Sequence, residues 1–514
     1  MMRSLFALFA VNACGSSPTP SDAGIDADAG PPPVVFGACP EGYFAECATL
    51  AEPLDHHDPS GETIDFMIAR YPAPVQPAKR QVWLLAGGPG QAGYVYGKLL
   101  ATFSARMPDA DFFVADHRGT GHSHRLACPQ QDVPHSYGGY NLPASQGAAC
   151  LASMKASGDY DRLAYFTSAQ AAADVIDAID HTRAPNEKVY VWGASYGTHW
   201  AHRILQQRPD GIDGFVFDGF LTPNHFSFLD YDRASEEAGE AFAAACDADA
   251  SCTTHVGAGG ALAKVQSVLA KLETSPCAGF DKSQARTLIT LFLDSFFARA
   301  LLFPTIHRLE RCNTDDQTAL GFLVGAYNDA LNTAYDIPYV NSGVLQLNIV
   351  MSELWGTPGE QTPPKTALDA AANAQAFLAV QSLPGSLVAL RAIWPLPPDD
   401  YSSLPVPVAT SSKLLWLGAA MDAHAFPSQG HAIASVYPSA PYVELKDAAH
   451  VPSRQSPLDS AHTDDCGMHV VTAFVENDGA LDLSCEPAML PAVFEAPNAA
   501  FATKWWNTTN DWGD

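Results

Sequence analysis

Short runs of consecutive apolar residues, each stopping at glycine or aspartate, alternate along this chain with segments whose apolar positions recur every three to four residues. Gln81-Val82-Trp83-Leu84-Leu85 stops at a glycine pair one residue on, Phe112-Phe113-Val114-Ala115 at Asp116, and Val189-Tyr190-Val191-Trp192 at Gly193. Gly214-Phe215-Val216-Phe217, Lys413-Leu414-Leu415-Trp416-Leu417 and Tyr442-Val443-Glu444-Leu445 follow the same habit. Apolar runs of this length without alternation predict strands buried on both faces, as in a parallel sheet. Between them, Ala172, Val175, Ile176 and Ile179 share one face of a helix predicted from Ser168 to His181, with Thr167 or Ser168 able to cap it. Tyr196 to Gln207 predicts the next helix, and two short strand-like stretches lie between Val34 and Ala73. Strand, helix and strand in turn predict an α/β architecture with a mostly parallel central sheet.

The pattern changes between about Thr222 and Leu404, which is Ala-rich and helical in period. Helices are expected over Ala238 to Ala245, Leu262 to Leu272, Arg286 to Leu302, Leu320 to Leu331 and Ala367 to Ala379. The stretch therefore reads as a helical insertion between two strands, with Pro-rich Trp394 to Pro407 as the return crossing. Trp505, Trp506 and Trp512 form an aromatic tail whose simplest role is docking on the core.

Composition narrows the function classes. A hydrophobic fraction of 47% with 10% aromatic residues excludes a disordered chain. A formal charge of −28 repels phosphate, which excludes sequence-independent nucleic-acid binding and electrostatic docking on an anionic membrane. At the start, Arg3 precedes the short apolar run Leu5 to Val11, too brief to span a bilayer but suited to a signal peptide. Val11-Asn12-Ala13-Cys14-Gly15 then resembles a bacterial lipoprotein cleavage box, making Cys14 a lipidation candidate and an N-terminal lipid the one expected membrane attachment. The alternative is an ordinary secretory leader with an incidental cysteine. Either way the chain is expected to be exported, as a periplasmic or cell-surface lipoprotein or as a secreted protein.

Setting Cys14 aside leaves ten of the 11 cysteines: Cys39, Cys47, Cys128, Cys150, Cys246, Cys252, Cys277, Cys312, Cys466 and Cys485. An export signal with an even remainder argues for disulfides, and pairing of sequence neighbours is the simplest connectivity. None is a C-x-x-C pair and no histidine stands at finger-like spacing, so structural zinc is a poor rival. His117, His122 and His124 lie on a Gly-rich turn without fixed spacing and carry no metal reading. No metal and no organic cofactor is expected.

The chemistry concentrates at Gly193-Ala194-Ser195-Tyr196-Gly197, a G-x-S-x-G set between a buried strand and an amphipathic helix. A sharp strand-to-helix turn needs flanking glycines, lifts the serine hydroxyl out of the sheet and sets it at the positive end of the helix. Ser195 is thus the expected nucleophile. The amide of Tyr196 is one oxyanion donor by construction, and Gly87-Gly88-Pro89-Gly90 after an earlier strand supplies the second, from Gly88. The general base must follow the insertion. Asp422 stands at the end of one late strand, and His450 follows the last, in Asp447-Ala448-Ala449-His450. The order Ser195, Asp422, His450 is that of the α/β-hydrolases. Asp218 is an alternative acid, while His424 and His431 are too close in sequence to Asp422 to be the preferred base.

With these motifs assembled, the chain resembles the serine aminopeptidases of peptidase family S33, the proline iminopeptidase and tripeptidyl aminopeptidase group, especially its secreted members. The resemblance rests on Ala86-Gly87-Gly88-Pro89-Gly90-Gln91, Asp116-His117-Arg118-Gly119-Thr120-Gly121-His122-Ser123, the elbow extended to Thr198, and Val216-Phe217-Asp218-Gly219. The cysteine-bearing stretches Cys39 to Pro53 and Cys466 to Cys485 are also similar to that subgroup. It implies an α/β-hydrolase fold with an inserted helical cap and cleavage of short units from peptides with a free N-terminus. It also implies carboxylates from the cap region that hold the substrate amine. Glu353 is the first place to look, with Glu236, Glu237 and Asp294 as alternatives. The expected organisation is a signal peptide over 1–14, a tether over 15–33, core over 34–221 and 405–491, cap over 222–404, and tail over 492–514. A carboxylesterase or amidase using the same residues is the nearest alternative, and a non-catalytic surface lipoprotein the more distant one.

Overall fold

In the computed structural model, which describes residues 34–40, 43, 45–378, 384–397 and 404–514, the apolar runs pair edge to edge into one sheet. Its strands among the described residues are β1 (Gly37–Ala38), β2 (Glu46–Pro53), β3 (Thr63–Tyr71), β4 (Arg80–Leu85), β5 (Ala110–Ala115), β6 (Lys188–Ala194), β7 (Gly214–Asp218), β8 (Lys413–Ala419) and β9 (Tyr442–Leu445). Their spatial order is β1-β2-β3-β5-β4-β6-β7-β8-β9. From β5 to β9 every pairing is parallel, whereas β1, β2 and β3 join antiparallel at one edge. Side chains alternate across the pleat, so Trp83 and Leu85 enter one apolar layer and Val82 and Leu84 the other. A sheet covered on both faces requires strands apolar at every position, which is why these runs do not alternate.

Helix Ser168–Thr182 starts where Thr167 accepts the Gln170 amide at 3.2 Å, and its apolar face packs on helix Tyr196–Gln207. Between β7 and β8 the chain builds helices that include Tyr231–Ala248, Ala261–Leu272, Lys282–Phe292, Leu302–Arg311 and Thr314–Tyr335, with a separate apolar core. Two expectations fail here. The helix expected over Arg286 to Leu302 is broken after Phe292, because the chain turns so that Phe296 is buried and its amide donates to Gln455 Oε1 at 3.0 Å. Helix Gly343–Ser352 went unread because it is apolar nearly all round and shows no amphipathic stripe. Although inside the insertion by sequence, it packs its Leu345, Leu347 and Ile349 into the core beneath the sheet.

The ten cysteines pair as Cys39–Cys47, Cys128–Cys150, Cys246–Cys252, Cys277–Cys312 and Cys466–Cys485, each closing a local loop and restricting the unfolded chain. Cys14 and the tether lie outside the described residues. The aromatic tail docks on the helical insertion: Trp506 is buried beneath the Arg308 guanidinium at 4.9 Å, and Trp512 stacks on His255. No helix among the described residues is long and apolar enough to cross a membrane.

Candidate active site

Where β6 gives way to helix Tyr196–Gln207, Ser195 adopts φ 56° and ψ −128°. A non-glycine residue in this region is strained and persists only where the surroundings over-determine it. Here the Ser195 amide donates to the Asp218 carbonyl at 2.9 Å. The flanking glycines have no room for a side chain: a Cβ at Gly193 would lie 2.1 Å from the Gly197 carbonyl oxygen, and one at Gly197 would lie 2.2 Å from that of Leu85. The helix amides therefore begin directly behind the hydroxyl, with that of Tyr196 first.

The loop after β4 lies across this turn. The Gly88 amide donates to no backbone acceptor among the described residues, and Gly88 lines the cavity that holds Ser195. Gly90 wedges against helix Gly343–Ser352, where a Cβ would meet the Ser342 carbonyl oxygen at 2.3 Å, and Asn341 Oδ1 accepts the Ala92 amide at 2.9 Å. The insertion thus buttresses the loop that faces Ser195.

His450 follows β9, and its Nδ1 stands 2.8 and 2.9 Å from the two oxygens of Asp422, at the end of β8. Asp422 also accepts the amides of His424 and Ala425, both at 2.8 Å. Burial alone would raise the Asp422 carboxyl, but the His450 charge and these hydrogen bonds outweigh it and hold the group below its ordinary value. An ionised Asp422 fixes the proton of His450 on Nδ1 and leaves Nε2 as a base. Asp218, the alternative acid, is buried elsewhere, accepting from Trp192 Nε1 at 3.2 Å and the Ser453 amide at 3.3 Å. His431 pairs with Glu444 at 2.8 Å, away from Asp422.

Gly87, Gly88, Ser195, Tyr196 and His450 line one cavity of about 860 Å³, roofed by the insertion and rich in aromatic rings, among them Tyr94, Tyr137, Tyr140, Phe226, Phe228 and Tyr231. Enclosure by apolar rings lowers the local dielectric and strengthens every polar contact inside.

Besides the strand-turn-helix that carries Ser195, the mostly parallel sheet and an acid and a base that follow later strands, residues 82–242 match the family model described as alpha/beta hydrolase fold. This is the α/β-hydrolase fold. No curated protein sequence matches the chain. Among solved structures, proline iminopeptidase from Mycobacterium smegmatis is 15% identical, covers 84% of this chain and 98% of its own, and has a TM-score of 0.37. A thermophilic esterase from Thermogutta terrifontis is 13% identical, with 79% and 92% covered and a TM-score of 0.32. An evolved variant of potato epoxide hydrolase is 13% identical, with 76% and 91% covered and a TM-score of 0.30.

On this hydrolase scaffold three of the four expected amine-binding carboxylates do not line the cavity. Glu353 is buried behind the elbow, accepting the Ser168 amide at 2.8 Å and pairing with His199 Nε2 at 3.2 Å. Burial works to raise its carboxyl, but His199 and Arg203 outweigh it and hold it low. The reason is the unread helix: Gly343–Ser352 packs into the core and delivers Glu353 to the two helices behind the elbow rather than to the cavity. Glu236 is occupied by the Phe377 amide at 2.7 Å, and Glu237 by Ser428 Oγ at 2.7 Å. Of the four carboxylates considered, Asp294 lines the cavity, carried there by the turn that breaks the expected helix. It pairs with His424 Nε2 at 2.9 Å, while His424 Nδ1 meets the Tyr231 hydroxyl at 2.8 Å. Burial opposes charge on His424, but Tyr231, Asp294 and Asp422 outweigh it and raise the imidazole well above its ordinary value; its ring lies 4.8 Å from that of His450.

Two supports stand behind the elbow: the Ser168–Tyr196–His117 chain, which escaped the sequence, and the Asp116 and Arg118 motif, whose charged side chains read from the sequence as braces for nearby loops. Ser168 Oγ stands 2.6 Å from the Tyr196 hydroxyl, which in turn lies 3.0 Å from His117 Nε2, so the side chain of the residue after Ser195 is pinned at its far end. Asp116 takes the Tyr43 hydroxyl and the Gly93 amide, each at 2.8 Å, and Arg118 binds Asp174 through Nε at 2.7 Å. Spacing between Ser168, Tyr196 and His117 has no period, so no pattern announces them.

Proposed function

We propose that this chain is a serine hydrolase that cleaves carboxylic ester or amide bonds through an acyl-enzyme. One observation carries the reading: Ser195 and His450 share the wall of a single cavity, and Asp422 holds His450 by Nδ1. Ser195 Oγ attacks the substrate carbonyl as His450 Nε2 takes its proton. The tetrahedral oxyanion accepts hydrogen bonds from the amides of Tyr196 and Gly88. Collapse expels the alcohol or amine, which leaves with the proton from His450. Water, deprotonated by the same imidazole, then hydrolyses the acyl-serine and releases the acid.

The acyl group favoured is neutral and apolar. The surface of the cavity is mostly apolar and includes several aromatic rings, and its Asp294 carboxylate is already paired with His424. A buried amine clamp requires a carboxylate free to pair with the substrate. Cleavage at a free peptide N-terminus is the second reading, and Asp294, 42% exposed on that wall, is what favours it.

A fluorophosphonate probe should label the wild-type chain and not Ser195→Ala. Neutral p-nitrophenyl esters and N-blocked amides should be turned over at least as well as free aminoacyl, dipeptidyl and tripeptidyl amides. Absence of labelling refutes the hydrolase reading, and turnover restricted to free amines replaces the esterase reading with the aminopeptidase one.

A further inference from the structure

Glu52 is the penultimate residue of β2, and it is only 4% exposed. His56, on the loop that follows, and Asp177, on helix Ser168–Thr182, meet it there. One ligand atom from each of the three lies within 4.8 Å of the others, and His56 Nδ1 is 3.9 Å from Asp177 Oδ2. The Glu52 carboxyl faces two other carboxylates, those of Asp174 and Asp177, and shares a hydrogen bond with Asp177. A cavity of about 450 Å³ opens beside them, lined by Glu52, Asp177 and His181.

The outer contacts orient the imidazole. His56 Nε2 lies 2.8 Å from Asp174 Oδ1, and Asp174 is ionised by its pair with Arg118. A carboxylate so paired has no proton to give, so His56 donates Nε2–H and presents the Nδ1 lone pair toward Glu52 and Asp177. A carboxylate behind a histidine, fixing its tautomer and raising its basicity, is the arrangement that metal-binding histidines recurrently show. Arg118 commits its N–H donors to Asp174 and to the carbonyls of Pro53 and Leu54, so its charge reaches the facing pair of acids without a hydrogen bond to them.

We propose that Glu52, His56 and Asp177 form a binding site for a divalent transition-metal cation, with zinc the best match to one imidazole and two carboxylates. Zinc with bonds of about 2.0–2.2 Å places tetrahedral ligands about 3.4 Å apart. Asp177, 46% exposed at its side chain, has the freedom to close that distance, and the cavity leaves space for a water in the fourth position. This departs from the expectation that the chain holds no metal, because the three residues come from a strand end, a loop and a helix and share no sequence spacing. None of them lines the Ser195 cavity, so the role is structural: the cation ties the end of β2 to the helix behind the Arg118 brace.

The test uses the full chain, treated with EDTA and dialysed, then titrated with Zn²⁺ by calorimetry and followed by thermal unfolding. One equivalent should bind and raise the unfolding midpoint by about 4 °C or more, with Mg²⁺ giving no shift. Asp177→Asn and Glu52→Gln should each weaken binding at least tenfold while leaving ester turnover unchanged; Asp177 is half exposed, so its variant keeps the fold. Absence of zinc binding, a preference for Mg²⁺, or affinity unaltered in both variants overturns the proposal.

Discussion

Gly87 lies directly against Ser195: a methyl group at position 87 would stand 3.0 Å from Ser195 Cβ and 3.5 Å from its Oγ. The loop that offers the Gly88 amide can therefore approach the hydroxyl only as bare backbone. Gly87→Ala should push the loop away and lower p-nitrophenyl ester turnover by about 10²-fold, the scale of losing one oxyanion donor. Its unfolding midpoint should stay close to that of the wild type. Unchanged turnover would show that the loop does not serve the oxyanion.

Asp422→Asn keeps the shape of the acid but offers His450 an amide that can force the other tautomer. Turnover should fall by about 10³- to 10⁴-fold with the fold retained, read as steady-state ester hydrolysis alongside circular dichroism. Asp422 is held below its ordinary value, so its contribution to stability is present above the unfolded-state value and is lost as pH falls through the depressed folded one. The variant should accordingly show a weaker loss of stability in strong acid.

Asp294 separates the two substrate readings. If the cavity takes neutral acyl groups, Asp294→Asn should change ester kcat/KM by less than about threefold, since one rim charge is worth little to an uncharged ligand. A rise in KM of about tenfold or more confined to free-amine substrates, with esters unaffected, would identify Asp294 as an amine clamp.

Burial pushes His117 down to about 4 and His202 down to about 3. A histidine neutral in the fold but protonated when unfolded makes the unfolded state bind more protons, so stability is full above about pH 6.5 and falls as pH drops below it. Each contributes about 1.4 kcal/mol per pH unit over that window. His202→Gln should remove close to one proton from the slope of urea-unfolding free energy between pH 6 and 4; an unchanged slope would mean that His202 is not neutral in the fold.

Trp506 should matter to stability and not to chemistry. It is 2% exposed, among cap side chains and under Arg308. Trp506→Ala should cost about 3–5 kcal/mol, measured by chemical denaturation, and leave fluorophosphonate labelling of folded protein intact.

The parts of the site legible in the sequence are those whose chemistry forces a local pattern. A strained strand-to-helix turn needs glycines at 193 and 197, and a catalytic acid and base belong at strand ends, so Ser195, Asp422 and His450 stood out. Glu353 did not follow any such rule. It sits at the end of a helix that is apolar on every side, and its position depended on whether that helix entered the roof or the core. Asp294 reached the cavity through a break that helical periodicity gave no sign of, because the break is set by Phe296 and Gln455 meeting across more than 150 residues.

By itself the sequence determined the order of the strands along the chain, the turn at Ser195, the place of the insertion and the local pairing of its cysteines. Each of these is written in neighbouring residues, through apolar runs, glycines and short loops. The tertiary structure decided which carboxylates face the cavity, which brace the elbow behind it and which gather with His56 at the end of β2. Those outcomes depend on distant segments packing together, and a charged side chain buried by such packing takes its role from the partner that neutralises it.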